Sequence, residues 1–260
     1  MANNPMFNEA AFERAKKRQQ TAVPPNEMYE GEQPLRRIST NTMTLQGTIN
    51  KTFFLLFLCV AGGVYGWMHP VLFTSALPIA LAIVALVIGV MTSFMPVISP
   101  FTAPLYALLE GFLLGGVSAA YNQMYNGIVS QAVMLTLLVF AIMLFVYKTG
   151  IIRVTQQLKT GIVSATAAIA IFYLVSFIGS FFGMNISYLT SSSPLSIGIS
   201  VVICIVAALN FLLDFEFINV MCQRGDSPRF MEWYAGFGLM LTLIWLYIEI
   251  LKLLAKSRRR

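Results

Sequence analysis

The chain has 260 residues, 57 % hydrophobic and only 11 % charged, whereas soluble domains carry roughly 25 % charged residues. That deficit excludes a soluble fold of this size, the more so because the first 51 residues hold 12 of the 28 charged side chains. The net charge of +6 sits on the flanks of apolar runs, a distribution that fits orientation in a lipid bilayer and not nucleic-acid binding.

In chain order, residues 1–48 read as a polar arm rich in Asn, Gln, Pro and charge, punctuated by Pro24, Pro25 and Pro34. The arm buries too little apolar surface to fold and is expected to be largely disordered. A short helix over residues 9–20 is compatible with its composition, with Arg14, Lys16, Lys17 and Arg18 solvated or resting on anionic lipid. No cleavable signal is apparent, so the first apolar run should stay in the membrane as an anchor. Seven apolar segments follow, near 52–68, 71–95, 101–121, 127–147, 160–183, 195–221 and 231–254. Each is close to the ~20 residues that a spanning helix needs. Pro70, Pro96, Pro100 and Pro194 fall between segments, and no run has the two-residue alternation of a membrane barrel. With no water to satisfy the backbone in lipid, spans of this kind must be helices. The fold class is therefore an all-α membrane protein, a bundle of seven transmembrane helices over 49–256, closed by a basic tail at 257–260.

Lys and Arg set the orientation. The arm through Lys51 holds seven of the 17, the fourth gap holds Lys148, Arg153 and Lys159, and the sixth holds Arg224 and Arg229. The other gaps hold none. This alternation predicts a cytoplasmic N-terminus and a multi-pass protein of a bacterial cell (inner) membrane. The tail breaks the alternation with Lys252, Lys256, Arg258, Arg259 and Arg260. Either the seventh segment crosses and a short basic tail is translocated, or that segment is re-entrant; its length favours a crossing. Gly62 with Gly66, and Gly111 with Gly115, have the four-residue spacing that clears a groove for a neighbouring helix.

The informative residues are acids inside apolar runs. Glu110 lies mid-way along the third segment, Asp214 and Glu216 late in the sixth, Glu232 at the start of the seventh and Glu249 late in it. A charge near the bilayer centre costs at least about 2.5–3.5 kcal/mol. No Lys or Arg lies centrally in any span, so internal salt bridges are not expected to neutralise all of these acids. They can keep their protons, since desolvation and mutual repulsion disfavour the charged form. They can share a proton as a pair, or they can ligate a hard cation such as Ca²⁺ through oxygen. Alternatively, Glu216, Glu232 and Glu249 are near enough to span ends to reach the headgroups. Asn210, Gln131, Thr136 and Tyr106 could extend an acidic cavity or simply bond between helices. The lone His69, beside Pro70 at a helix end, cannot build a metal site, and Cys59, Cys204 and Cys222 lack metal or disulfide spacing.

At Asp214 in LeuLeuAspPhe and Glu249 in LeuTyrIleGlu, the sequence resembles the Bax inhibitor-1/YccA family, the transmembrane Bax inhibitor motif proteins. Stretches at 42–51, 103–111, 148–155 and 232–240 are similar to its bacterial branch. The resemblance implies a last helix near the centre of the bundle. It also implies a pH-sensitive Ca²⁺ leak with an acidic pair on the sixth and seventh helices, here Asp214 and Glu249. Depth counting speaks against direct contact between these two: at ~1.5 Å per residue they lie roughly 18 Å apart along the membrane normal if the last helix crosses. Glu110 and Glu232 are then alternative partners for Asp214.

Two functions follow as expectations. The first is a pH-sensitive cation leak or exchange, Ca²⁺ foremost, with Asp214, Glu249, Glu110 and Glu232 as candidate pH-sensing or cation-site residues and Asp214 as the Ca²⁺ ligand. The second is a non-transporting regulator that binds a membrane protease or stress-response partner, with the basic arm as contact surface. No cofactor is expected beyond a bound or transported Ca²⁺, and the oligomeric state is not encoded in the pattern. An enzyme is disfavoured: there is no P-loop or dinucleotide fingerprint, no GxSG serine context, no GxGD aspartate context and no lysine mid-way along the last segment.

Overall fold

A computed structural model describes residues 42–182 and 191–259, without the side chain of Phe181. The arm through residue 41, the candidate helix at 9–20 and Arg260 lie outside the described residues. Among those described, seven helices are long and apolar enough to cross a membrane. They are α1 (Leu45–Met68), α2 (Leu77–Phe94), α3 (Ser99–Met124), α4 (Ile128–Thr149), α5 (Gln156–Phe181), α6 (Pro194–Arg224) and α7 (Met231–Arg258). Two short 3₁₀ segments, Pro70–Thr74 and Pro96–Ile98, start at the expected prolines.

Local chemistry explains where the helices begin and end. Thr44 caps α1 by accepting from Gly47 N–H, so α1 starts two turns before its apolar run does. Thr155 and Ser193 cap α5 and α6 in the same way, accepting from Leu158 and Ser196 at 3.2 Å; such caps satisfy amides left unpaired at a helix start. Gly150 and Gly225 end α4 and α6 with φ of 68° and 67°, the left-handed conformation that glycine adopts without a Cβ clash.

Large apolar side chains point outward all round the bundle, Phe53 at 69 % and Phe101 at 84 % exposure among them. A soluble surface does not carry such a girdle, whereas lipid solvates it. The interior is built on α7, the most enclosed of the seven helices, with 56 % of its apolar window buried. Phe211, Phe215, Leu243 and Leu246 join it to α6 and α4 in one cluster. Leu55, Tyr106, Phe237 and Met240 join it to α1 and α3 in another. The last helix is thus central, flanked by α1, α3, α4 and α6, while α2 and α5 pack outside on α3 and α6.

The most extensive helix pair is α1 with α3. Their backbones touch: a Cβ on Gly66 would collide with the Phe112 carbonyl, one on Gly111 with the Cys59 carbonyl and one on Gly115 with the Gly63 carbonyl. The two glycine pairs are packing devices.

The two ends of the bundle are distinct. At the arm end, Met43 N–H donates to the Ser227 carbonyl at 2.8 Å, and Ser99 Oγ donates to the Phe230 carbonyl at 3.1 Å. At the tail end, Arg258 donates to the Asn126 carbonyl at 2.9 Å and to Gln131 Oε1 at 2.8 Å. Helix α7 therefore runs unbroken from one end to the other, as a full crossing. The re-entrant alternative falls, and the basic tail lies at the end opposite the start of α1.

Candidate functional site

Asp214 and Gly238 face each other across the α6–α7 seam. One carboxylate oxygen of Asp214, Oδ2, is buried without a hydrogen-bond partner among the described residues. Thr242, one turn beyond Gly238, presents its hydroxyl to the carboxylate and also donates to the Gly238 carbonyl at 3.3 Å. The missing Cβ at Gly238 leaves room beside the acid. Asp214 lines a cavity of about 450 Å³ toward the arm end, which also takes in Glu216, Arg224, Lys159, Ser93 and Tyr234. The cavity thus holds two acids and two bases, and the unpaired Asp214 oxygen is buried beside it. A buried polar atom without a partner is uncommon and points to water, an ion or a functional role.

The structure does not bring the four candidate acids together. Among the described residues, no hydrogen bond or ion pair joins any two of them. Glu249 lies beyond Gly238 on α7 by roughly 16 Å at 1.5 Å per residue, so the depth count holds. Its carboxylate, 2 % exposed, accepts from Tyr173 Oη at 2.9 Å and Lys252 Nζ at 3.0 Å. Glu232, 1 % exposed, accepts from Thr44 N–H and Thr44 Oγ1 at 2.9 Å and pairs with Lys51. Glu110 is half-buried on α3, with Tyr106 as hydrogen-bonding neighbour and Cys59 of α1 nearby. Glu216 accepts from Tyr147 Oη at 2.9 Å.

Among the described residues, two of the five acids form ion pairs. Glu232 and Glu249 do have basic partners, because a flexible lysine stem carries its ammonium inward from a span end. Lys252 reaches Glu249 one turn back on α7, and Lys51 reaches Glu232 from α1. Lys252 is the base nearest to Glu249 in the sequence, three residues on, whereas Lys51 and Glu232 are distant in sequence. Nor are three or more His, Cys, Asp or Glu side chains grouped to hold a metal among the described residues. Asp214 could meet a cation as a passing ligand, not as one corner of an acidic cage.

The other polar candidates bond between or within helices. Asn210 donates to Thr166 Oγ1 at 2.8 Å, Thr136 donates to the Ala132 carbonyl at 2.8 Å, and Gln131 accepts from Arg258. His69 caps the end of α1, with Nδ1 2.9 Å from the Tyr65 carbonyl oxygen.

A family model described as Bax inhibitor 1 like matches residues 4–259. The chain belongs to that family. No match was found among curated proteins. Membership agrees with the resemblance in the apolar segments and extends it through most of the arm. For this Bax inhibitor 1 like protein, the seven apolar helices make it a multi-pass membrane protein.

Proposed function

We propose that this protein mediates a pH-sensitive leak or exchange of cations, Ca²⁺ foremost, along the α6–α7 seam, with cations and protons competing for Asp214. The role is non-enzymatic. The observation that carries the reading is Asp214 itself, which lines a cavity near the arm end and keeps one carboxylate oxygen, Oδ2, buried without a partner among the described residues. An ionised carboxylate there attracts a cation, and a protonated one does not. The charged and titratable groups around the same cavity are Lys159 on α5, Glu216 and Arg224 on α6 and Tyr234 on α7. They set the local field in which Asp214 exchanges its proton. Protonation would shift the balance between two arrangements of α6 and α7, which is how local charge changes act as switches. The distribution of Lys and Arg in the gaps supports a bacterial inner-membrane protein with the arm in the cytoplasm.

Ca²⁺ flux into proteoliposomes across a pH series tests this. Asp214→Asn mimics the protonated carboxyl, so at neutral pH the variant should behave as the wild type does in acid, with a flattened pH response. Unchanged flux and an unchanged pH response would remove Asp214 from the mechanism and leave the regulator reading in its place.

A further inference from the structure

The tail end of the bundle holds a second cavity, which the proposed ion path does not use. It has a volume of about 540 Å³ and is walled by α3, α5, α6 and α7. Phe172, Ile199 and Ile203 make its α5 and α6 sides apolar. Among the described residues, its α7 side carries Lys252, Lys256 and, just past the helix end, Arg259, with Glu249 as the carboxylate.

Lys256 is the informative group. It is only 8 % exposed, and it donates to the neutral Ser200 Oγ at 2.8 Å. An ammonium has three donors, and burying its charge is costly without an anion. Glu249 is its nearest acid but is shared: the carboxylate accepts from Tyr173 and Lys252, both through Oε1, and its ion pair is with Lys252. Among the described lining residues, positive charge is therefore in excess.

The level of the cavity in the membrane narrows the ligand. Lys256 stands about 17 Å from the midpoint of α7 at 1.5 Å per residue. That is just outside a hydrocarbon layer roughly 30 Å thick, where headgroup phosphates lie. Tyr121 and Tyr125 line the same cavity, and tyrosine is favoured at that boundary. Cationic groups at headgroup depth beside an apolar wall match an amphiphile with a negative head.

We propose that this cavity binds the phosphate-bearing headgroup of an anionic phospholipid, with the phosphate against Lys256 and an acyl chain along Phe172, Ile199 and Ile203. The basic end of α7 then serves as a lipid-recognition element and not simply as a topology signal.

Native mass spectrometry of the full chain in mild detergent, titrated with phosphatidylglycerol, phosphatidylcholine or inorganic phosphate alone, tests the assignment. Phosphatidylglycerol should be retained in preference to phosphatidylcholine. Lys256→Met should weaken it about fivefold, the loss expected for one basic contact near anionic headgroups, and Lys256→Arg should restore it. Ala120→Trp, from an exposed position on α3 that lines the cavity, should also weaken retention by filling the space, and it covers the case in which Lys256→Met does not fold. Lys148→Met, at the arm end, should leave retention unchanged. Equal retention of the two lipids overturns the proposal, as does phosphatidylglycerol binding untouched by both Lys256→Met and Ala120→Trp. Inorganic phosphate that stabilises the lipid-free protein as well as phosphatidylglycerol does would assign the site to a free anion and overturn the lipid reading.

Discussion

Five acids in apolar sequence look alike until their neighbours are known, and the neighbours divide them. Glu232 is a structural acid that ties the start of α1 to the start of α7 through Thr44 and Lys51, and Lys51 also lies 5.5 Å from the centre of the Trp233 ring. Replacing Glu232 by Gln keeps the shape and removes the charge-assisted bonds, so Glu232→Gln should lose about 1–3 kcal/mol of stability. Thermal unfolding in detergent checks this against Asp226→Asn, an exposed loop position where the change should stay within about 0.5 kcal/mol. Equal melting of the two variants would contradict the structural role. Asp214 differs in kind: an oxygen buried without a partner among the described residues carries a desolvation cost and adds no cohesion. Asp214→Asn should therefore be at least as stable as the wild type in the same melt while altering flux. A large destabilisation would show instead that the carboxylate holds the seam together.

At the scale of the helices, α1 and α3 are joined by backbone contact over glycines, and this contact tolerates no side chain. A leucine at Gly115 would meet the Gly63 backbone, which cannot swing aside as a side chain can. Gly115→Leu should cost toward the upper end of the ~1–3 kcal/mol typical of overpacking, read as a fall in melting temperature. Gly161→Ala on α5, where nothing lies within 4 Å of the added Cβ, should instead be neutral or gain up to about 1 kcal/mol from helix propensity. Comparable losses in both would mean that the α1–α3 seam is looser than the glycines imply. The four-residue spacing made the groove legible in the sequence, but not which helix fills it.

For the whole molecule, the complete crossing of α7 separates the arm end from the tail end. In a background with Cys59, Cys204 and Cys222 replaced by Ala, Gly150→Cys and Asp226→Cys should react with a membrane-impermeant thiol reagent from one side. Asn126→Cys and Arg259→Cys should react from the other. Labelling of the Arg259 and Gly150 variants from the same side would restore the re-entrant reading of the last segment. Three of the tail cations, which disrupt the charge alternation, are engaged by groups of the bundle: Lys252 with Glu249, Lys256 with Ser200 and, at the exposed end, Arg258 with Asn126 and Gln131. Charges held in this way are poor guides to topology, because the alternation rule describes loops that are free to stay in the cytoplasm.

The amino-acid order alone determined that this is a seven-helix membrane protein, because a span's need for about 20 apolar residues and a closed backbone is local and can be read in a single segment. It also placed Asp214 and Glu249 at different depths, since helical rise converts residue count into distance. Only the tertiary structure decided how most of these acids are partnered. Lys252 is within a turn of Glu249 on one helix, but Lys51 meets Glu232, Tyr173 meets Glu249 and no described residue meets Asp214 Oδ2 because helices far apart in the chain pack side by side. That proximity depends on three-dimensional packing, which no local pattern records.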